Sequence, residues 1–178
     1  MTREFIFIQL LGVMAWLMQV LSYYRKNTNK ILMFQIIGTL LYCMHYFLLR
    51  AYSGLLICAI EVIFDYLYYK TNKDKCLYII SIPIRIIAGI IGFNILMDIL
   101  PILASLIDGY SLTKKKKMVV VGAIISYSLW AIYDIYVMSI SGAITNSIVV
   151  ISNVFILLFQ YNIFKTNKDI FDPKKSFK

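Results

Sequence analysis

Residues 118–164 read MVVVGAIISYSLWAIYDIYVMSISGAITNSIVVISNVFILLFQYNIF, and Asp134 is the only charged side chain among them. A helix that crosses a bilayer needs about 20 predominantly apolar residues. The stretch is long enough for two, and Ser139-Ile140-Ser141-Gly142 divides it. Lys114 to Lys117 bound it on one side, Lys165 and Lys168 on the other. The reading is a helical hairpin in a membrane, both ends returning to one basic face.

The same pattern extends outward through all 178 residues. Apolar runs at 5–23, 31–49, 54–69, 76–93 and 95–111 join those at 118–137 and 143–164, giving seven spans. The fourth and fifth are separated only by Gly92-Phe93-Asn94, which has to turn tightly. Composition agrees: 61% of residues are hydrophobic and 15% charged, against about 45–50% and about 25% in soluble chains. A soluble domain of this size cannot hide so much apolar surface. Disorder, a collagen-like fibre and a disulfide-stapled secreted domain are excluded on the same ground. Cys43, Cys58 and Cys76 have neither metal-ligand nor redox spacing. The first run leads into Tyr23-Tyr24-Arg25-Lys26 with no small-residue cleavage site, so it reads as a span, not a removable signal.

Lys and Arg alternate between the two sets of loops. Arg25, Lys26, Lys30, Lys70, Lys73, Lys75, Lys114 to Lys117 and five lysines of the tail fall on one side, fifteen in all, against Arg3 and Arg50 on the other. The positive-inside rule then puts the N-terminus outside and the C-terminus in the cytoplasm. The net charge of +9 is juxtamembrane, which makes anionic lipid headgroups its expected partner and leaves no case for nucleic acid.

Two stretches match at an offset of 88. Tyr42-Cys43-Met44-His45-Tyr46 … Tyr52-Ser53-Gly54 parallels Trp130-Ala131-Ile132-Tyr133-Asp134 … Ile140-Ser141-Gly142, and each ends a span and turns through Ser-Gly. Both halves also close on Lys-Thr-Asn-Lys, at 70–73 and 165–168. The division expected is a first three-helix repeat at 1–73, a linker helix at 74–94, a second repeat at 95–165 and a basic cytoplasmic tail at 166–178. With one linker span, the repeats are parallel and related by an axis along the membrane normal, as in SWEET-type carriers.

These residues carry a resemblance. Gln19-Val20-Leu21-Ser22 … Arg25-Lys26 … Leu32-Met33-Phe34-Gln35, with His45 to Leu49 and Tyr52-Ser53-Gly54, form the first half of the pattern; Leu100-Pro101, Trp130 to Tyr133 and Ser139 to Gly142 form the second. The chain resembles the YgjV family of uncharacterised bacterial inner-membrane proteins over nearly its whole length. The resemblance implies a multi-pass protein of the bacterial cytoplasmic membrane. The family is more distantly similar to SWEET and PQ-loop carriers; the Pro-Gln pair that names the latter is missing here, so that likeness is one of topology.

Polar residues inside the spans fall on stripes in helical register. Gln9, Gly12, Trp16 and Gln19 share a face of the first span; Gln35, Gly38, Tyr42 and His45 do so in the second; Asp98, Pro101, Ser105 and Asp108 in the fifth; Asn146, Asn153 and Gln160 in the seventh. Such stripes face other helices, as interhelical contacts or as the lining of a polar path. The path reading makes Trp16, Gln19, Trp130, Asn146 and Asn153 the substrate-binding residues, their rings and amides suited to an uncharged, hydrogen-bonding solute. Pro101 would then kink its helix as a hinge, and His45 would serve a proton-coupled step or simply bond a neighbouring helix. Glu61 and Arg85 sit near the midplane of consecutive spans, where an intramembrane charge pair is the simplest way to keep both. The alternatives are a protonated Glu61, and an Arg85 that snorkels or pairs with Asp98.

The expectation is an all-α protein of seven transmembrane helices in a 3+1+3 arrangement, most simply a small-solute carrier with a central polar path. A non-transporting seven-helix receptor or assembly protein is the alternative. No catalytic triad, metal-binding cluster, phosphate loop or cofactor motif occurs, so neither enzymatic chemistry nor a metal or other cofactor is expected. An oligomer is compatible with the sequence.

Overall fold

Inside a bilayer the backbone has no water to bond, so each apolar run satisfies its own amides as a helix. The computed structural model describes residues 3–23, 28–71, 75–112, 114 and 116–170. They form seven α-helices: α1 (Arg3–Tyr23), α2 (Thr28–Leu48), α3 (Tyr52–Thr71), α4 (Lys75–Gly92), α5 (Ile99–Leu112), α6 (Lys116–Tyr136) and α7 (Ile140–Ile170). Arg3–Ser22, Lys117–Tyr136 and Ile140–Phe159 are each long and apolar enough to cross a membrane alone; Met33–Leu48, Tyr52–Phe64 and Leu77–Gly92 are shorter apolar stretches. A single 3₁₀ turn, Leu96–Asp98, precedes α5 and lengthens it. The two together reach about 27 Å, close to the thickness of the hydrocarbon core.

The helices close into a ring. Around it, α1 packs on α2, α2 on α3, α3 on α5, α5 on α6, α6 on α7, and α7 on α1. The main contacts of α4 are with α3 and α5, which leaves it outside the ring. Its outward face is isoleucine-rich: Ile79, Ile87, Ile90 and Ile91 are all exposed, as lipid contact allows and water would not.

The turns α2–α3 and α6–α7 share one backbone. Arg50 (φ 57°) and Met138 (φ 61°), 88 residues apart, are the two non-glycine residues with positive φ among those described. Around them, Leu49 N donates to His45 O, Arg50 N to Phe47 O, Ala51 N to Tyr46 O and Leu55 N to Ala51 O. In the second turn Val137 N donates to Tyr133 O, Met138 N to Ile135 O, Ser139 N to Asp134 O and Ala143 N to Ser139 O. The bonds match one for one. The serine after each turn also reaches the other half of the chain: Ser53 Oγ donates to Asp98 O at 2.8 Å, and Ser141 Oγ to Gln9 Oε1 at 3.0 Å.

One helix end differs from the sequence reading. Helix α7 runs on to Ile170, past the limit of 165 placed on the second repeat, because the next helix breaker is Pro173. Residues 171–178 of the basic tail, with Arg25, Lys26 and Lys73 of the loops, lie outside the described residues. The tight turn after α4 is secured by Asp98, whose Oδ2 accepts from Asn94 N at 2.8 Å and Ile95 N at 3.0 Å. That carboxylate therefore caps the turn; it is not free for Arg85.

Candidate functional site

The ring encloses a cavity of about 150 Å³. Five helices supply its wall: Trp16, Gln19 and Val20 from α1; Thr39, Tyr42 and Tyr46 from α2; Cys58 and Glu61 from α3; Tyr127 and Trp130 from α6; Thr145, Asn146 and Val149 from α7. Four pairs of these are related by the offset of 88: Thr39 with Tyr127, Tyr42 with Trp130, Cys58 with Asn146, and Glu61 with Val149. Positions 88 residues apart in the chain thus line one space.

One end of the cavity is closed by rings. Tyr46 stacks on Trp130 (centroids 5.7 Å apart) and on Tyr42 (6.2 Å), with Tyr133 edge-on to Trp130 at 6.0 Å. Such contacts contribute about 0.5–1.5 kcal/mol per pair beyond area burial. Polar atoms in this layer are paired. Tyr46 Oη donates to Asp134 Oδ1 at 2.7 Å and Asn146 Nδ2 to Asp134 Oδ2 at 2.7 Å, so both oxygens of a fully buried carboxylate have donors. Gly142 makes room for this: a Cβ there would lie 2.6 Å from Asp134 Oδ2. Tyr133 Oη accepts from Gly54 N at 3.1 Å. On the α1 side, Gln19 Nε2 donates to Thr39 Oγ1 at 3.2 Å and Gln35 O at 3.3 Å.

His45 lies at this end, fully buried, and joins three elements. Its Nδ1 is 2.8 Å from Ile8 O and its Nε2 2.8 Å from Ser139 Oγ. A carbonyl only accepts, so Nδ1 carries the proton; in the neutral ring Nε2 then accepts from the serine. Gln9 repeats the clamp, donating to Met138 O at 3.0 Å and accepting from Ser141 N at 2.9 Å.

Glu61 and Arg85 do not form the expected ion pair. They meet through Ser105 of α5, which lies against both their helices. Ser105 Oγ donates to Glu61 Oε1 at 3.1 Å, and Arg85 Nη1 donates to Ser105 O. Arg85 is buried, its Nε is without a hydrogen-bond partner, and its guanidinium is within electrostatic reach of both Glu61 and Asp108.

Trp16, Gln19, Trp130 and Asn146 are thus placed around one cavity, and Asn153 is not. Two turns further along α7, its Nδ2 donates to Val149 O at 2.9 Å, a bond within its own helix. Pro101 is not mid-helix: it is the third residue of α5, in the first turn, where a missing N–H costs little. The proline within a helix interior is Pro83 of α4. The side chains of Asp65 and Gln160 lie outside the described residues. Sequence reasoning missed Glu61 as a cavity residue and Thr39, Thr145 and Tyr127 beside it. The offset of 88 would have found Tyr127 from Thr39.

A family model described as a bacterial inner membrane protein, Imp-YgjV, matches residues 6–163. No curated protein and no solved structure matches the chain. Apolar helices exposed to their surroundings and a family match over nearly the whole chain lead to one assignment: the protein belongs to the YgjV family of multi-pass bacterial inner-membrane proteins.

Proposed function

We propose that the protein is a small-solute carrier whose binding site is the cavity inside the ring. The observation that carries this reading is the lining itself, built from equivalent residues of both triplets. A site on the axis between two similar halves can be exposed to either side when one half rocks against the other, as in carriers built from repeats. On this reading 1–73 and 95–165 are the moving units and α4 is the linker. On this reading the fifteen-to-two asymmetry in Lys and Arg puts the ring-stacked end outside, and the carrier is closed on that side. The basic loops contact anionic headgroups at the cytoplasmic surface. The likeness to SWEET and PQ-loop carriers is part of this proposal and rests on topology.

Uptake of small polar solutes into proteoliposomes tests the reading, with Trp130→Ala as control. Flux that the purified chain confers and the variant loses supports a carrier. A correctly folded chain without flux for any solute class favours the receptor or assembly alternative.

A further inference from the structure

The cavity lining has an electrical sign. Among its residues Glu61 is the only acidic side chain, and no lysine, arginine or histidine is present. Three of the polar donors nearby are directed at protein acceptors: Gln19 Nε2 at Gln35 and Thr39, Asn146 Nδ2 and Tyr46 Oη at Asp134. Behind the wall, a single guanidinium, Arg85, faces two carboxylates, Glu61 and Asp108, and itself bonds the Ser105 carbonyl. The wall also carries five aromatic rings, among them Trp16, Tyr42, Tyr46 and Trp130. A carboxylate and aromatic rings lining one space are the combination that recognises an ammonium centre, by direct charge and by cation–π attraction.

We propose that the cavity binds a small organic cation with a quaternary or protonated amine, its nitrogen between the Glu61 carboxylate and these rings. This replaces the uncharged solute expected from sequence. It rests on the reading of the cavity as a solute site. A volume of about 150 Å³ suits a ligand of about six heavy atoms, since an engineered cavity of that size binds benzene.

The chain supplies its own reporter, because its two tryptophans, Trp16 and Trp130, both line the cavity. The full-length protein in nanodiscs is titrated with choline chloride against a sodium chloride control, following tryptophan fluorescence. The expected result is a saturable change. The neutral isostere 3,3-dimethylbutan-1-ol should bind at least tenfold more weakly, and Glu61→Gln should weaken choline at least tenfold while Glu61→Asp retains most of the affinity. An isostere that binds as well as choline, a folded Glu61→Gln that binds choline normally, or no saturable response to choline overturns the proposal. Should Glu61→Gln not fold, the comparison of choline with its isostere on the native chain decides. Failure here is distinct from failure of the carrier reading: a neutral solute that binds and is transported sinks only the cation, and choline binding without flux of any solute sinks only transport.

Discussion

Tyr46 donates a 2.7 Å hydrogen bond to Asp134, the residue 88 positions on that holds its own place in the other half of the chain. Residues related by a two-fold axis touch each other only close to that axis, so on the two-repeat reading this bond would mark where the axis passes. The pair is also chemically complementary: two tyrosines could share a proton there, whereas two carboxylates would repel. Asn146 completes the carboxylate's coordination from α7.

Removing either partner strands the other in a buried site. Asp134→Asn turns an amide donor towards that of Asn146 and should cost about 1–3 kcal/mol. The double variant Asp134→Asn with Asn146→Asp restores an acceptor opposite a donor and should recover much of the loss. Thermal unfolding in detergent measures these two and the single variant Asn146→Asp. Strictly additive losses would show that the two side chains are not coupled.

The Ser105 bridge makes a different prediction for Glu61 and Arg85. With no direct contact, the charge exchange Glu61→Arg with Arg85→Glu should fail to restore stability to either single variant. Each single change should destabilise, Arg85 in particular because it leaves Ser105 O and two carboxylates behind. Recovery by the exchange would mean that the two side chains do pair directly.

Thiol labelling separates two asparagines of one stripe. In a background with Cys43, Cys58 and Cys76 replaced by serine, Asn146→Cys should react with a small membrane-impermeant reagent, more slowly when choline is present. Asn153→Cys should react at a rate that choline does not change. Equal protection of both positions would place the cavity further along α7 than described.

Topology is checked with reporters. A fusion after Lys178 should be cytoplasmic, and one inserted at 139–142 should be outside. An external C-terminus would reverse the charge argument and with it the direction in which the cavity is closed.

The helices were legible because bilayer thickness and backbone hydrogen bonding leave a run of apolar residues little choice. Trp16, Gln19, Trp130 and Asn146 were legible as members of polar stripes, since a stripe has to face protein. Depth and azimuth were harder. Asn153 repeats Asn146 at seven residues, which preserves the face but moves it about 10 Å along the axis, beyond the cavity. The charge pair failed because adjacency in sequence gave α3 and α4 as neighbours, while nothing local reveals that α5 sits against both. Asp98 looked like a member of an inward stripe and proved to be the cap of a turn, a role fixed by the 3₁₀ geometry ahead of α5.

The matched turns make their segments interchangeable parts. Leu49 to Ser53 and Val137 to Ser141 differ at every position but the last, yet their main chains make the same bonds. Exchanging one segment for the other would leave the path of the chain intact and alter only what hangs from it. Ala51 in place of Ser139 would silence the hydroxyl that meets His45; the reverse exchange would add one where nothing asks for it. The architecture is common property of the two halves. Their individuality is written in a few side chains laid over it, and those are the positions at which a designer would make the halves alike or set them further apart.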